Sequence, residues 1–159
     1  MGITPLQQDK APVAVTQGPT GARAVGRVAG LIAGDALAFL VFAVLGRGQH
    51  HETTGLAAVG QVIVTALPFA LGWFLVAPLV GAYRRAATDR PARMLWRTLP
   101  AWLAAWPVTL LLRWAFTGRI PPVTFALIIL LANAILLGLW RGAFALAERW
   151  LASRAHAAQ

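Results

Sequence analysis

Cysteine is absent from this chain of 159 residues, which excludes disulfides, thiolate metal sites, iron–sulfur clusters and cysteine nucleophiles. Serine is nearly absent as well, since Ser153 near the C-terminus is the only one. Acidic residues number 5 against 14 basic ones, and of the five only Asp35 falls inside an apolar run. The histidines His50, His51 and His156 all lie outside such runs, so haem ligation between facing membrane helices has no ligands to use. Catalysis inside a bilayer calls for a serine, a pair of aspartates or a metal set, and the apolar runs supply one aspartate. An enzyme is therefore not expected, nor a cofactor. The loop sequence His50-His51-Glu52 has metal-binding chemistry, but it lacks a third spaced ligand and the H-E-x-x-H helical pattern, so no metal is expected there.

What the chain has in abundance is apolar surface. Its hydrophobic fraction is 58%, its mean hydropathy +0.67 and its charged fraction 12%, against roughly a quarter charged in soluble domains. Apolar runs fill residues 27–46, 56–80, 98–116 and 121–140. About 20 residues rising about 1.5 Å each cover the ~30 Å hydrocarbon core, where only helices or closed barrels satisfy the backbone. The expected fold is all-α: a polytopic membrane protein with four transmembrane helices in two hairpins. Its expected organisation is a flexible cytoplasmic tail over 1–22, a bundle over 23–147 and a cytoplasmic tail over 148–159. The first run is expected to remain as a helix, because Asp35 interrupts its centre and no A-x-A-like cleavage site follows it.

The basic residues report orientation. Net charge is +9, yet most of these residues flank the spans, so topology accounts for them and a nucleic-acid partner is not expected. Lys10, Arg23 and Arg27, then Arg84, Arg85, Arg90, Arg93 and Arg97, then Arg141, Arg149 and Arg154 gather at one side; Arg47, Arg113 and Arg119 lie at the other. The positive-inside rule then places both termini in the cytoplasm, with the protein in the cytoplasmic (inner) membrane. Tyr83, Trp96, Trp140 and Trp150 fit an inner aromatic belt, and Trp114 an outer one.

Asp35 is the most informative single residue, because an ionisable group in mid-span costs about 3 kcal/mol or more and normally faces a partner or a wet cavity. Counting along helix 1 from Arg27 and back along helix 4 from Arg141 puts Asp35 and Asn133 at similar depth, so the two are expected to meet in the bundle interior. Two readings stand: a hydrogen-bonded packing residue, or a proton or ion relay. Small residues at spacings of four, Gly26, Gly30, Gly34 and Ala38 in helix 1 and Ala134, Gly138 and Gly142 in helix 4, predict close packing of helix 1 against helix 4 or a second copy. Helix 3 carries Thr98, Trp102, Trp106, Thr109 and Arg113 on one stripe, and helix 2 carries Gln61, Thr65, Pro68 and Gly72. These line a polar cavity or make interhelical hydrogen bonds. Pro68 and Pro107 are expected to kink their helices. Arg113, about a turn below the outer boundary, is expected to snorkel or to pair with Glu52.

One arrangement runs through all four helices: Gly34-Asp35, then Phe42-xxx-Gly46-Arg47-xx-His50, Pro68-Phe69-xx-Gly72-Trp73, Arg113 late in helix 3 and Trp140-Arg141 ending helix 4. It resembles the small bacterial and archaeal membrane proteins grouped as domain of unknown function 3054, over about residues 27–145. The resemblance implies a four-helix integral membrane protein in which Asp35, Arg47, His50 and Arg113 are the polar positions to test. For activity, two classes remain: a small proton- or solute-conducting transporter or channel component acting as an oligomer, or a non-catalytic accessory or assembly subunit of a larger membrane complex. Either way the expected partners are the lipid bilayer and further membrane-embedded chains, copies of itself included.

Overall fold

The computed structural model describes residues 20–47, 55–84 and 90–157. They form four helices: α1 (Thr20–Arg47), α2 (Leu56–Leu79), α3 (Pro91–Thr117) and α4 (Val123–Ala157). Each is long and apolar enough to cross a membrane, and no strand occurs among the described residues. The chain is thus a four-helix, multi-pass membrane protein. The helices pack in a ring in chain order, α1 on α2, α2 on α3, α3 on α4 and α4 back on α1.

Local sequence explains the ends. Pro91 occupies the first turn of α3, where its missing N–H costs no hydrogen bond. Gly118 ends α3 in the left-handed region at φ 65°, donating its N–H to the Trp114 carbonyl at 2.7 Å. At the end of α2, Gly81 takes φ 72°, its N–H reaches the Pro78 carbonyl, and the Ala82 N–H reaches the Ala77 carbonyl at 2.9 Å. This pair of bonds is a Schellman motif, in which the left-handed glycine lets the chain turn back on the helix it has just left. The turn carries Ala82 and Tyr83 into the bundle.

The sequence expectation that helix 4 ends near Arg141 is corrected. The helix continues to Ala157 over 35 residues, about 52 Å at 1.5 Å per residue, well beyond a ~30 Å core. Residues 142–147 read Gly-Ala-Phe-Ala-Leu-Ala, so nothing after Arg141 breaks a helix. The extension is tied to α1 by Arg27, whose Nε donates to Glu148 Oε1 at 2.5 Å and Nη2 to Oε2 at 2.7 Å.

A layer of Phe39, Phe69, Trp73 and Trp102 fills the middle of the bundle, each essentially inaccessible. Trp102 and Trp106 donate their indole N–H groups to the Leu130 and Ala126 carbonyls of α4, at 2.9 and 3.0 Å. The two tryptophans of the helix 3 stripe therefore bond across the α3–α4 seam, while Thr98 and Thr109 donate to carbonyls of their own helix, Met94 and Trp106.

Candidate functional site

Two polar regions lie at opposite ends of this aromatic layer. The first is centred on Asp35, which is completely buried, as is Arg141 opposite it on α4. The guanidinium grips the carboxylate in bidentate fashion: Nε donates to Oδ1 at 2.9 Å and Nη2 to Oδ2 at 2.6 Å. Arg141 Nη1 donates to the Ala82 carbonyl at 3.0 Å. Asp35 Oδ2 also receives the Trp73 indole N–H at 2.9 Å and the Tyr83 hydroxyl at 2.7 Å. The Arg141 guanidinium lies 4.9 Å from the ring centres of both Trp73 and Tyr83, so its faces are covered too.

Taking two charges out of water costs several kcal/mol each, and Coulomb attraction offsets this only when the remaining hydrogen-bonding capacity is also used. Here it is used: four donors converge on the two carboxylate oxygens, and the arginine fork has a third acceptor in Ala82. Burial, then the neighbouring Asp35 carboxylate, raises the Tyr83 phenol above its ordinary value, so it stays protonated and remains a donor. The cluster joins α1, α2, the turn after α2 and α4, and it has the geometry of a latch.

The expected meeting of Asp35 with Asn133 is corrected. Asn133 is buried, but its Nδ2 donates to the Ile129 carbonyl one turn back on its own helix, and its Oδ1 has no partner among the described residues. Arg141 lies eight residues further along α4, about 12 Å at 1.5 Å per residue. Depth counting failed because it treated Arg141 as the boundary marker from which depth was measured. Thr65 is at the other end of the bundle, lining the cavity described below. Sequence reasoning missed Arg141, Trp73 and Tyr83 as partners of Asp35. A usable signal existed: a lone acid in the spans calls for a base, and the apolar run past Arg141 places that arginine within a helix and not at its end.

The glycines divide by neighbour. A Cβ on Gly34 would overlap the Trp140 indole, and one on Gly30 would touch Phe144 at 3.5 Å. So α1 packs on α4 of its own chain through these two. A Cβ on Gly26 would meet nothing within 4 Å among the described residues. Gly138 and Gly142 turn to Leu95 of α3, at 3.6 and 4.0 Å, not to α1. Between α2 and α3, a Cβ on Gly72 would overlap the Thr109 side chain.

The second region is a cavity of about 780 Å³ at the end of the bundle that holds the α1–α2 and α3–α4 connections. Phe42, Ala43, Gly46 and Arg47 of α1, Gly60, Gln61, Val62, Val64 and Thr65 of α2, Arg113 of α3 and Phe125 of α4 line it. Arg113 is half-buried, with its guanidinium 4.4 Å from the Phe125 ring centre and 5.8 Å from that of Phe69. The guanidinium makes no hydrogen bond or ion pair among the described residues. Pro68 has no N–H to give, which leaves the Val64 carbonyl in the cavity wall without its helical partner. Pro107 interrupts α3 in the same way. His50, His51 and Glu52, and with them the expected Arg113–Glu52 pair, lie outside the described residues.

An all-helical membrane bundle latched by one buried ion pair defines the class. The particular family follows from the sequence: residues 32–144 match the family described as protein of unknown function (DUF3054), and the chain belongs to it. That interval includes both Asp35 and Arg141 and all the helix segments that line the cavity. Comparison with curated proteins and with solved structures returned no match.

Proposed function

We propose that the protein is a solute-binding component of a membrane transport assembly, working as an oligomer, with the solute received in the Arg113 cavity and the Asp35–Arg141 pair holding the fold. One observation carries the reading: a half-buried guanidinium with aromatic faces against it and no acceptor among the described residues, at the wall of a cavity of about 780 Å³. Ligand sites are commonly clefts of about 300–1,000 Å³, mostly apolar, with a few convergent polar groups. Gln61, Thr65, Arg47 and Arg113 are such groups.

The aromatic layer between cavity and ion pair supports an oligomer over a lone bundle, since a path through one copy would have to cross Phe39, Phe69, Trp73 and Trp102. Basic-residue placement supports an orientation with both termini in the cytoplasm, so that the cavity opens on the outer face of the cytoplasmic membrane. Asp35, with its oxygens engaged by four donors, is read as structural and not as a proton relay. The activity envisaged is binding and conduction, without covalent chemistry.

Flux into proteoliposomes tests this. From a panel of labelled organic anions with and without apolar chains, at least one should enter vesicles holding the wild type, and Arg113→Gln should abolish its entry while leaving the melting temperature unchanged. Binding without flux for any anion, together with co-purification in a larger complex, rejects the transport role in favour of the accessory subunit.

A further inference from the structure

We infer that the ligand of this cavity is an acyl-chain amphiphile with a negatively charged oxygen head group, entering sideways from the bilayer between α1 and α2. The inference rests on the cavity being a binding site.

Charge comes first. Three arginines, Arg47, Arg113 and Arg119, gather at this end of the bundle, and Arg113 and Arg119 also share an adjoining cleft. The described residues contain two acids, Asp35 and Glu148, each already paired with an arginine elsewhere, Arg141 and Arg27. The guanidinium groups of Arg113 and Arg119 meet no acid among the described residues. An anion is the complementary occupant, and a guanidinium favours carboxylate or phosphate oxygens in particular.

The apolar walls argue against a small hydrated anion. Phe42, Val62, Val64 and Phe125 face the same space as Arg113, and a ligand lacking a tail would leave them against water. Arg113 is five residues before the Gly118 cap, about 7 Å along the axis. That is the depth at which a head group sits while its chain runs toward the bilayer centre.

The side entrance comes from two glycines. Gly46 of α1 and Gly60 of α2 both line the cavity, and beside each of them a Cβ would meet nothing within 4 Å among the described residues. None of residues 55–65 is buried, whereas from Ala66 onward one face of α2 is. The first turns of α2 therefore form a wall with an open flank.

The test uses the full chain in phosphatidylcholine nanodiscs, with energy transfer from tryptophan to dansyl-undecanoate as the probe and empty discs as baseline. Palmitate should displace the probe, whereas methyl palmitate and acetate should be at least about tenfold weaker, because one lacks the charge and the other the chain. Arg113→Gln should weaken palmitate by about tenfold or more, Arg113→Lys should recover part of that, and Gly60→Leu should weaken it by closing the flank. Phosphatidylglycerol added to the discs identifies the source: displacement of the probe assigns the site to bilayer lipid, and its absence assigns it to a free acyl anion. Acetate equal to palmitate overturns the amphiphile while sparing an anion site. Methyl palmitate equal to palmitate overturns the charge argument. If no probe binds to wild type that is folded by circular dichroism, both this inference and the binding reading fall.

Discussion

Removing one member of a buried ion pair is costly mainly because of the charge left behind, and Asp35 with Arg141 is such a pair. Arg141→Met should destabilise the protein by about 3–5 kcal/mol, while the double change Asp35→Leu with Arg141→Met should recover most of that, since apolar replacement of both partners is often neutral. Thermal melts in detergent would show it. The double variant also decides the role of Asp35: retained flux fits a latch, and lost flux in a folded double variant fits a relay. Tyr83 offers a second measurement at this scale, because it is the only tyrosine in the chain. Its phenol is raised by burial and by Asp35, so the folded state holds a proton that the unfolded chain releases near pH 10. The stabilisation is complete below about pH 10 and fades as pH rises toward the folded value. Tyrosinate absorbance should thus stay silent past about pH 10 in folded protein. The melting temperature of wild type should fall more steeply than that of Tyr83→Phe above that pH.

At the scale of the helix, the glycines predict a graded series. Gly34→Ala drives a methyl into the Trp140 ring, and Gly72→Ala meets both the Thr109 side chain and its backbone nitrogen at 3.0 Å. Overpacking of this sort costs about 1–3 kcal/mol, and at Gly72 the backbone cannot swing aside. Gly26→Ala has open space around it and should gain a few tenths to about 1 kcal/mol from helix propensity. Gly138→Ala, at van der Waals distance from Leu95, should be close to neutral or slightly stabilising. A common loss across all four in melting experiments would mean that the stripe packs against something other than Trp140 and Leu95. The four-residue spacing of the glycines was legible in the sequence. Which neighbours they meet was not, because spacing assigns a face and only the rotation of each helix assigns what that face touches.

At the scale of the whole molecule, four spans with basic residues weighted to one side give an orientation that can be checked directly. An alkaline-phosphatase fusion after Glu52 should be active and one after Arg90 silent, as expected if both termini are cytoplasmic; the reverse pattern rejects the orientation. The cavity and the ion pair then face opposite sides of the membrane. The latched end is the one where α1 begins and α4 finishes, and the other end carries the Arg113 cavity.

Solvent is why so much of the architecture was legible without coordinates. In hydrocarbon every backbone amide must be satisfied within the chain, so apolar runs of about 20 residues become helices whatever their side chains. The count and order of the four helices followed from that, as did the inward face of Thr98, Trp102 and Thr109 on α3. The burial of Asp35 also followed, since a lipid-facing carboxylate has no compensation. Its partner did not follow. Arg141 is eight residues from Asn133 on the same helix, and the choice between them was made by the Gly81 turn, which brings Ala82 and Tyr83 to one end of Asp35, and by the continuation of α4 past the expected boundary. The cavity, too, exists only in three dimensions, where Gly46 and Gly60 come to face one space from different helices. Side-chain chemistry along a chain sets which groups need partners; helix rotation and register decide which partners they reach.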